Sequence, residues 1–528
     1  MEISGMRKRA AGMAFLVTVF LSVTSLFAEK SLVFFSQPAL LAKRNLDFFS
    51  LRQRPLRQII PLIGSYTIID PDNQQVLGKV SAPSVYHLSK PLIFSKQFSL
   101  RKESTRRYFL NFEGLNGVAE IRVNNRLLYR GNHNFLPLRL VCPNNFLKDS
   151  SNVLEIFLTP WSGGKNEFPR WIPVNLPRID NGITAPVYLE ITPTVFISNL
   201  TAEVKTDSDS TRISGTVTLQ TGTYFPDGYS IDLTIRNRKR RFGRLRLTVP
   251  SDSNHTVQQI PFEIKTVRLP AWSPEVPVIN YCQALLRRGY KRVDELHKPL
   301  LVRKITLGNH FVRVDGIRQR INGINYVYQD HRGVGLLHRQ LLLHDLQKIK
   351  AKGFNVVRVG FYPASSLFYH LTDSLGLLCF QDLPLTLLNE KILADSVWYE
   401  NALNYLKSFL SLASEHPSVV ALSLGNHLTK SETQWNRFEQ EVRNLPTGQT
   451  NFLFYSCHYD PQNIPADAQI LSCFELMSRN HQESYLSAFR KLVPGNSAIL
   501  LSGISKAISY RVDSTAITHD LKQMTELY

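Results

Sequence analysis

The amino-acid sequence predicts a multidomain protein in which two β-sandwiches precede a (β/α) barrel. Apolar and polar residues alternate from residue 92 to 191 and again from 194 to 302, a pattern typical of antiparallel strands with one buried face. From residue 304 onward, short apolar strands alternate with helical segments. A regular alternation of this length favours a barrel over an open sheet.

The first residues have the pattern of an export signal. A basic start at residues 7–9 is followed by an apolar stretch to about Phe27, and the small residue Ala28 precedes Glu29. We expect residues 1–28 to be a signal peptide that is cleaved after Ala28, which predicts a periplasmic or extracellular protein. An uncleaved N-terminal membrane anchor is the alternative, although threonines and serines interrupt the stretch and it is short for a span.

The first sandwich is predicted over residues 29–193. Tyr108, Leu110 and Phe112 alternate along one strand and share one face. The dipeptide Asn124–Asn125 predicts a tight turn between the next two strands. These features indicate antiparallel strands with a buried face.

The second sandwich, over residues 194–303, is predicted to be smaller and immunoglobulin-like. Its segment Ile235–Leu247 is rich in arginine, and strand-like residues around Phe242 and Gly243 predict an exposed hairpin with a glycine-containing turn. Because the net charge of the chain is +20, the arginines from Arg236 to Arg246 also raise the hypothesis of an anionic partner. A nucleic acid is disfavoured, since solvated hairpin charges are the simpler interpretation. An anionic surface polymer such as an acidic glycan, or an anionic lipid head group, is the more natural partner for an exported basic protein.

Residues 304–528 predict a TIM-type (β/α) barrel. The predicted strands, in order, are QRINGINYV, FNVVRVG, LLCFQD, VVALSLGN, NFLFYSC, AQILSCF and AILLSG. Leu342, Leu346 and Ile349 have helical spacing between the first two strands. After the seventh strand, one more helical segment follows and no eighth strand, so the barrel is predicted to lack its last unit. The closing unit could come from elsewhere, the barrel could be open, or the chain could be a degenerate relative of a longer protein.

The five cysteines do not indicate a metal site. They are far apart and form no Cys-x-x-Cys motif, and their odd number leaves at least one thiol outside any intramolecular disulfide. We therefore predict no metal site. We also predict no cofactor.

The order of these parts resembles glycoside hydrolase family 2, the group of β-galactosidases, β-glucuronidases and β-mannosidases. LNFEGLNGVAEIRVNNRLL and NVLEIFLTP are similar to the family's sugar-binding jelly roll, and GITAPVYLE is similar to its GIWRPVYLE. In the barrel, INGINYV, HDLQKIKAKGFNVVRVGFYP and LTDSLGLLCFQDLP are similar to the motifs of the first three strands, the last being closest to the mannosidases. The resemblance covers most of the mature chain and implies the hydrolysis of O-glycosyl bonds.

The resemblance also implies where catalytic groups would stand. Members of the family use two glutamates at the ends of strands four and seven: one protonates the leaving oxygen, and the other forms a covalent glycosyl intermediate. In this chain the acid/base position is His427 and the nucleophile position is Gly503, while Asn426 retains the family's asparagine beside the sugar 2-hydroxyl. A histidine can donate a proton near neutral pH, but a glycine has no side chain to form the ester.

Two other carboxylates follow predicted strands and are candidates for substitute catalysts. Asp382 and Glu475 could form an acid/base pair at the separation of inverting enzymes, in which a water replaces the missing nucleophile. The alternative is that Asp382 packs or hydrogen-bonds within the barrel and that Glu475 lies at its rim. The candidate sugar-binding residues are Asn325, Arg358, Tyr362 and Asn426. Arg358 could instead hold the opening of the barrel together.

These observations lead to three hypotheses of function. The first is an exported family-2-like protein that has lost the retaining mechanism and keeps a glycan-binding or structural role. The second is an active glycoside hydrolase that cleaves β-mannosides, β-galactosides or β-glucuronides with rearranged catalytic residues. The third is a basic surface protein that binds anionic polymers through Arg236–Arg246.

Overall fold

The computed structural model describes most of the chain between residues 56 and 445 and several strands beyond it. The described residues are 56–132, 134–160, 181–308, 311–326, 339–360, 363–385, 390–423 and 433–445, with the strand segments 33–34, 329–330, 333–334, 453–458, 470–474 and 498–502. The predicted signal peptide lies outside them. Within these ranges, no helix is both long enough and apolar enough to cross a membrane.

The first part of the structure consists of antiparallel sheets around one core. Its strands are β1 (Val33–Phe34), β2 (Gln58–Pro61), β3 (Gly64–Ile69), β4 (Val76–Ala82), β5 (Tyr86–His87), β6 (Leu92–Ser99), β7 (Tyr108–Phe112), β8 (Val118–Val123), β9 (Arg126–Asn132), β10 (Leu138–Cys142), β11 (Ser151–Thr159) and β12 (Val187–Ile191). A four-stranded sheet in the order β10-β7-β12-β2 packs on a six-stranded sheet in the order β4-β3-β6-β11-β8-β9. Strands β1 and β5 form a separate pair.

Strand β7 shows how the sequence pattern positions this sheet. Tyr108, Leu110 and Phe112 enter the sandwich core, as their alternation predicts. Phe109 on the opposite face is also buried, because its ring packs edge-on against Phe196 at a centroid distance of 6.0 Å. The second face of this sheet is therefore covered by the next part of the chain rather than by water.

The second part is a smaller sandwich. Its strands are β13 (Val195–Thr206), β14 (Ser210–Thr221), β15 (Tyr229–Arg236), β16 (Arg241–Thr248), β17 (Val257–Val267), β18 (Asn280–Arg288) and β19 (Lys291–Leu300). They form a three-stranded sheet in the order β13-β14-β17 and a four-stranded sheet in the order β16-β15-β18-β19, with one shared core. The predicted domain boundaries at 193/194 and 303/304 fall between strands.

The arginine-rich hairpin is present, but the prediction that its turn contains Gly243 is wrong. The turn lies between Arg236 and Arg241, where Asn237 Oδ1 accepts hydrogen bonds from the backbone N–H groups of Lys239 and Arg240 at 2.9 and 2.8 Å. Hydrogen bonds of this kind from the side chain of an asparagine stabilise a turn without a glycine. Gly243 instead lies within β16, where an added Cβ would come 3.1 Å from Ile264 Cγ2.

The third part alternates strands and helices. Its elements are β20 (Ile305–Gly308), β21 (Phe311–Val314), β22 (Ile317–Gln319), β23 (Gly323–Tyr326), β24 (Gln329–Asp330), β25 (Gly333–Val334), α1 (Arg339–Ala351), β26 (Val356–Val359), α2 (Ser366–Leu375), β27 (Leu378–Asp382), α3 (Glu390–Leu393), α4 (Ser396–Ala413), β28 (Val419–Ser423), α5 (Thr433–Arg443), β29 (Leu453–His458), β30 (Ile470–Phe474) and β31 (Ala498–Ser502). Helix α1 buries Leu342, Leu346 and Ile349, in agreement with their predicted helical spacing.

All seven predicted barrel strands are present in one parallel sheet. Their spatial order, β23-β26-β27-β28-β29-β30-β31, is also their order along the chain. Among the described residues, β23 and β31 are not paired with each other, so the sheet has two edges there. The absence of a last barrel unit stays a prediction.

Two layers of apolar side chains cover this sheet. Val357, Val359 and Cys379 pack against the helices, whereas Val356 and Phe380 point to the other face. On that second face they meet Trp272 and the short sheet β20-β21-β22. The parallel strands are thus apolar on both faces, as is typical of a barrel wall.

A buried network of ions joins the two sandwiches. The guanidinium of Arg57 donates to both carboxylate oxygens of Asp294 at 3.1 and 2.9 Å and to Glu190 Oε1 at 2.5 Å. Glu190 Oε2 also accepts from Arg139 Nε at 3.1 Å. The side chains of Arg57, Glu190 and Asp294 are at most 1% exposed. Each buried charge therefore has an opposite partner.

The first sandwich also contributes to the core beneath the barrel helices. Leu136, on the loop before β10, is fully buried in the same apolar cluster as Leu406 of α4. Next to it, the Tyr405 hydroxyl donates to the backbone carbonyl of Asn134. The loop and helix α4 are therefore parts of one packed unit.

Candidate functional site

The candidate site is the C-terminal edge of the parallel sheet, where the catalytic groups of barrel enzymes lie. Side chains alternate along the strands, so Arg358 of β26 and Asp382 of β27 follow Val356 and Phe380 onto the inner face. Asp382 is the last residue of β27 and is in register with Ser423, the last residue of β28. Both positions therefore lie at the predicted functional edge.

Arg358 and Asp382 form a bidentate ion pair. Arg358 Nε donates to Asp382 Oδ1 at 3.0 Å, and Nη2 donates to Oδ2 at 2.5 Å. The two side chains are 5% and 0% exposed. Two parallel charge-assisted bonds of this kind are strong and directional. To act as a general acid, Asp382 would have to carry a proton on an oxygen that accepts from the guanidinium.

Gly360 makes room for this pair. A Cβ atom at Gly360 would lie 3.2 Å from Asp382 Oδ2. A larger side chain would push against the carboxylate just beyond the end of β26. The glycine directly after β26 therefore leaves the space that the ion pair occupies.

Gln381 fixes the backbone on the other face of β27. Its Oε1 accepts from the Tyr369 hydroxyl at 2.7 Å and from the Ala364 backbone N–H at 3.1 Å, while its Nε2 donates to the Val359 carbonyl at 3.1 Å. Burial raises the pKa of Tyr369 well above its ordinary value, so the hydroxyl keeps its proton. Sequence reasoning missed Gln381, although a glutamine within the apolar run LLCFQD is a usable signal.

Several predicted site residues lie outside the described residues. His427 and Asn426 follow β28, Glu475 directly follows Phe474 of β30, and Gly503 directly follows Ser502 of β31; Tyr362 is also outside. Asn325 lies in β23, in register with Arg358 of β26, and only its backbone is described. The structure therefore brings together the backbone of Asn325 with Arg358 and Asp382.

A buried aspartate–histidine pair lies at the opposite edge of the sheet. His416 Nδ1 is 2.7 Å from Asp373 Oδ2, and Asp373 Oδ1 accepts from the Ser418 backbone N–H at 2.9 Å. The Trp272 indole N–H donates to the Asp373 carbonyl at 2.9 Å. These residues precede β28 or end α2, on the face of a barrel that serves stability. Sequence reasoning missed this pair, and its position favours a structural role.

Comparison with known sequences shows what the barrel part of the chain is similar to. Residues 305–445 match the family model for the TIM barrel domain of glycosyl hydrolases family 2. A beta-galactosidase from Priestia megaterium is 24% identical over 335 residues, which are 60% of this chain and 32% of that protein. Residues 305–445 are therefore similar to the barrel domain of glycosyl hydrolases family 2. The chain spans about a third of the length of the curated relatives that it matches.

Solved structures share the fold. An FMN-binding beta-glucuronidase from Facaelibacterium prausnitzii L2-6 aligns with a TM-score of 0.73 and 16% identity, over 86% of this chain and 73% of that one. A GH2 beta-galacturonidase from Eisenbergiella tayi, bound to galacturonate, aligns with a TM-score of 0.70 and 16% identity, over 88% of this chain and 84% of that one. The β-rich multidomain architecture with a TIM barrel domain is therefore confirmed.

Proposed function

We propose that this chain is a glycan-binding relative of the family 2 glycosidases in which the retaining mechanism has been lost. The observation that carries the proposal is the pair of residues at the glutamate positions, His427 and Gly503. Without a carboxylate at the seventh strand, no covalent glycosyl intermediate can form there. The fold and its binding edge would remain.

The geometry of Asp382 supports this proposal. Both of its oxygens accept from Arg358, and the pair is buried. A carboxylate engaged in this way is better suited to holding β26 and β27 together than to exchanging a proton with a substrate. In this proposal Arg358 and Asp382 support the binding edge, and Asn325, Tyr362 and Asn426 contact the sugar.

The names of the relatives support the proposed ligand class. The matched proteins carry the names beta-galactosidase, beta-glucuronidase and beta-galacturonidase, and the third-strand motif is closest to the mannosidases. We propose a β-linked glycan as the ligand, bound by an exported protein whose mature chain begins at Glu29.

The deciding experiment is hydrolysis of a panel of aryl β-glycosides by the purified mature chain. We expect no turnover above that of a His427→Ala variant, which serves as the control for contaminating glycosidases. Calorimetric titration with β-mannosides, β-galactosides and β-glucuronides is expected to show heat of binding for at least one ligand. Turnover that disappears in the variant would contradict the loss of the retaining mechanism. The absence of heat in every titration would contradict glycan binding.

One observation favours the active hydrolase as a second candidate. Asp382 lies at the C-terminal edge of the sheet, where an acid or base would be needed. If the panel shows turnover, an Asp382→Asn variant tests this role directly. Unchanged turnover in that variant would exclude Asp382 as the catalyst.

A further inference from the structure

The outer face of the sheet β16-β15-β18-β19 is rich in arginine. Tyr229, Ile231, Leu233 and Ile235 of β15 point into the sandwich core, so the alternate residues point outward. Register places the residues of the neighbouring strands in the same rows. We call this surface the arginine face; its charged residues are Arg236, Arg241, Arg244, Arg246, Arg287, Arg292, Asp232 and Glu295.

Asp232 organises the centre of the arginine face. It accepts from Arg246 Nε at 2.6 Å and Nη2 at 2.9 Å, from Arg287 Nε at 2.7 Å and from Arg244 Nη2 at 3.4 Å. The Arg246 hydrogen bond is the main reason that the pKa of Asp232 is well below its ordinary value. One carboxylate balances one of the three guanidinium charges, and the Arg244 and Arg246 side chains remain 54% and 59% exposed.

Glu295 has the same function two strands further along the sheet, on β19. Its side chain is 3% exposed and contacts Arg292, Gln283 and His297, the last at 2.6 Å from Nε2 to Oε1. Burial opposes the ionised form, but the hydrogen bonds from His297, Gln283 and Arg292 lower the pKa of Glu295 to about 2. Arg292 remains 52% exposed and presents its guanidinium to solvent.

At the hairpin end, like charges face each other. Arg236 and Arg241 are directly opposite on paired strands, and both are exposed. Among the contacts of the described residues, no carboxylate accepts from either side chain; Arg236 Nε reaches only the Asn237 carbonyl, at 3.4 Å. Like charges in this arrangement destabilise a sheet. An anion bound between them would remove that repulsion.

We propose that the arginine face binds an acidic polysaccharide, a glycan that carries carboxylate or sulfate groups. The guanidinium groups match such groups in charge and in hydrogen-bond geometry. Ser230, Thr234 and Gln283 lie in the same rows and can pair with sugar hydroxyls. Tyr281 supplies one aromatic ring in these rows. Sites for single-stranded nucleic acid instead place several aromatic rings under successive bases, so this surface fits a polysaccharide better. The surface belongs to the second sandwich, so the proposal does not rest on the chemistry of the barrel.

The test is binding of polygalacturonate to the full mature chain, with a charge-reversal variant and a matched control. The Arg236→Glu/Arg241→Glu variant changes two exposed arginines at the hairpin end. The Lys205→Glu/Lys265→Glu variant changes two exposed lysines on β13 and β17, in the other sheet, with the same change in net charge. We expect the first variant to bind on the order of tenfold more weakly and the control to change less than about twofold, because exposed ion pairs act at short range.

Several outcomes would show that the arginine face does not bind an acidic polysaccharide specifically. Equal losses in the two variants, or no loss in the first, would overturn the proposal. Tighter binding of duplex DNA or of phosphatidylserine vesicles than of polygalacturonate would also overturn it. A milder Arg236→Gln/Arg241→Gln variant should show a smaller loss in the same direction, and thermal unfolding verifies that each variant is folded. Titration with small neutral β-glycosides reports on the barrel edge and is expected to be unchanged in all variants.

Discussion

At the scale of single residues, the ion pair between Arg358 and Asp382 is the main contact at the C-terminal edge of the parallel sheet. Each residue is recognisable in the sequence as polar and close to a strand end. The contact between them is not, because it depends on the register of β26 and β27. Removing one member of a buried ion pair leaves the charge of the other buried without an opposite charge. Replacing both members by apolar residues also removes the cost of burying charges.

The pair can be tested by mutation. We expect Asp382→Ala to lower the free energy of unfolding of the barrel by about 3–5 kcal/mol, because Arg358 would stay buried without its carboxylate. The double variant Arg358→Met/Asp382→Leu should lose less. Urea unfolding followed by tryptophan fluorescence measures both. A single variant as stable as the double variant would show that the pair is not coupled in this way.

The sequence was sufficient to identify the strand ends but not the whole candidate site. The inner and outer faces of β26 and β27 follow from alternation, so Arg358 and Asp382 could be assigned to one face. Gln381 was missed, because its hydrogen bonds join Ala364, Tyr369 and Val359 across three elements. The predictions for His427 and Gly503 depend on resemblance alone and stay predictions.

At the scale of secondary-structure elements, the spacing of apolar residues predicted strands and helices correctly where apolar burial is the dominant force. The seven parallel strands and helix α1 were predicted because apolar burial alone sets their periodicity. The turn of the arginine hairpin was misplaced because Asn237 and Gly243 are both turn residues. Only the side-chain hydrogen bonds of Asn237 distinguish them.

The sheet that carries the arginine face should be sensitive to acid. The pKa values of Asp232 and Glu295 are lower in the folded state than their ordinary values of about 3.9 and 4.3. Their contribution to stability is therefore complete above those ordinary values and is lost as the pH falls toward the folded pKa values.

We expect the thermal midpoint of the second sandwich to fall less steeply in Asp232→Asn/Glu295→Gln than in the unaltered chain, between about pH 5 and pH 2. Calorimetry across that range measures the difference. Glu263→Gln is the matched control, since Glu263 pairs with Arg212 on the other sheet and is 55% exposed. Identical acid profiles for the double variant and the unaltered chain would contradict the assignment.

At the scale of the whole molecule, the sequence predicted the order of the three parts but not how they are connected. Arg57, Arg139, Glu190 and Asp294 are far apart in the sequence, and no local pattern relates them. Their network forms only when the two sandwiches meet, and the side chains of Arg57, Glu190 and Asp294 in it are at most 1% exposed. The relative position of the sandwiches is thus fixed by ions as well as by apolar packing.

Arg57→Ala should weaken this connection. We expect a loss of about 3–5 kcal/mol, because Glu190 and Asp294 would remain buried near each other without their shared cation. Differential scanning calorimetry should show the unfolding of the sandwiches at lower temperature. The control Arg212→Ala removes an exposed pair and should cost less than about 1 kcal/mol. Similar losses in both variants would argue against the network as the connection.

The loop that carries Leu136 has a consequence for how such a protein can change during evolution. Because Leu136 and the carbonyl of Asn134 pack against α4, the sandwich and the barrel share part of one core. An exchange of either part by recombination would separate the loop from the helix that it fits. Lineages that carry this contact should therefore inherit both segments together, and substitutions in the loop should be accompanied by substitutions in α4.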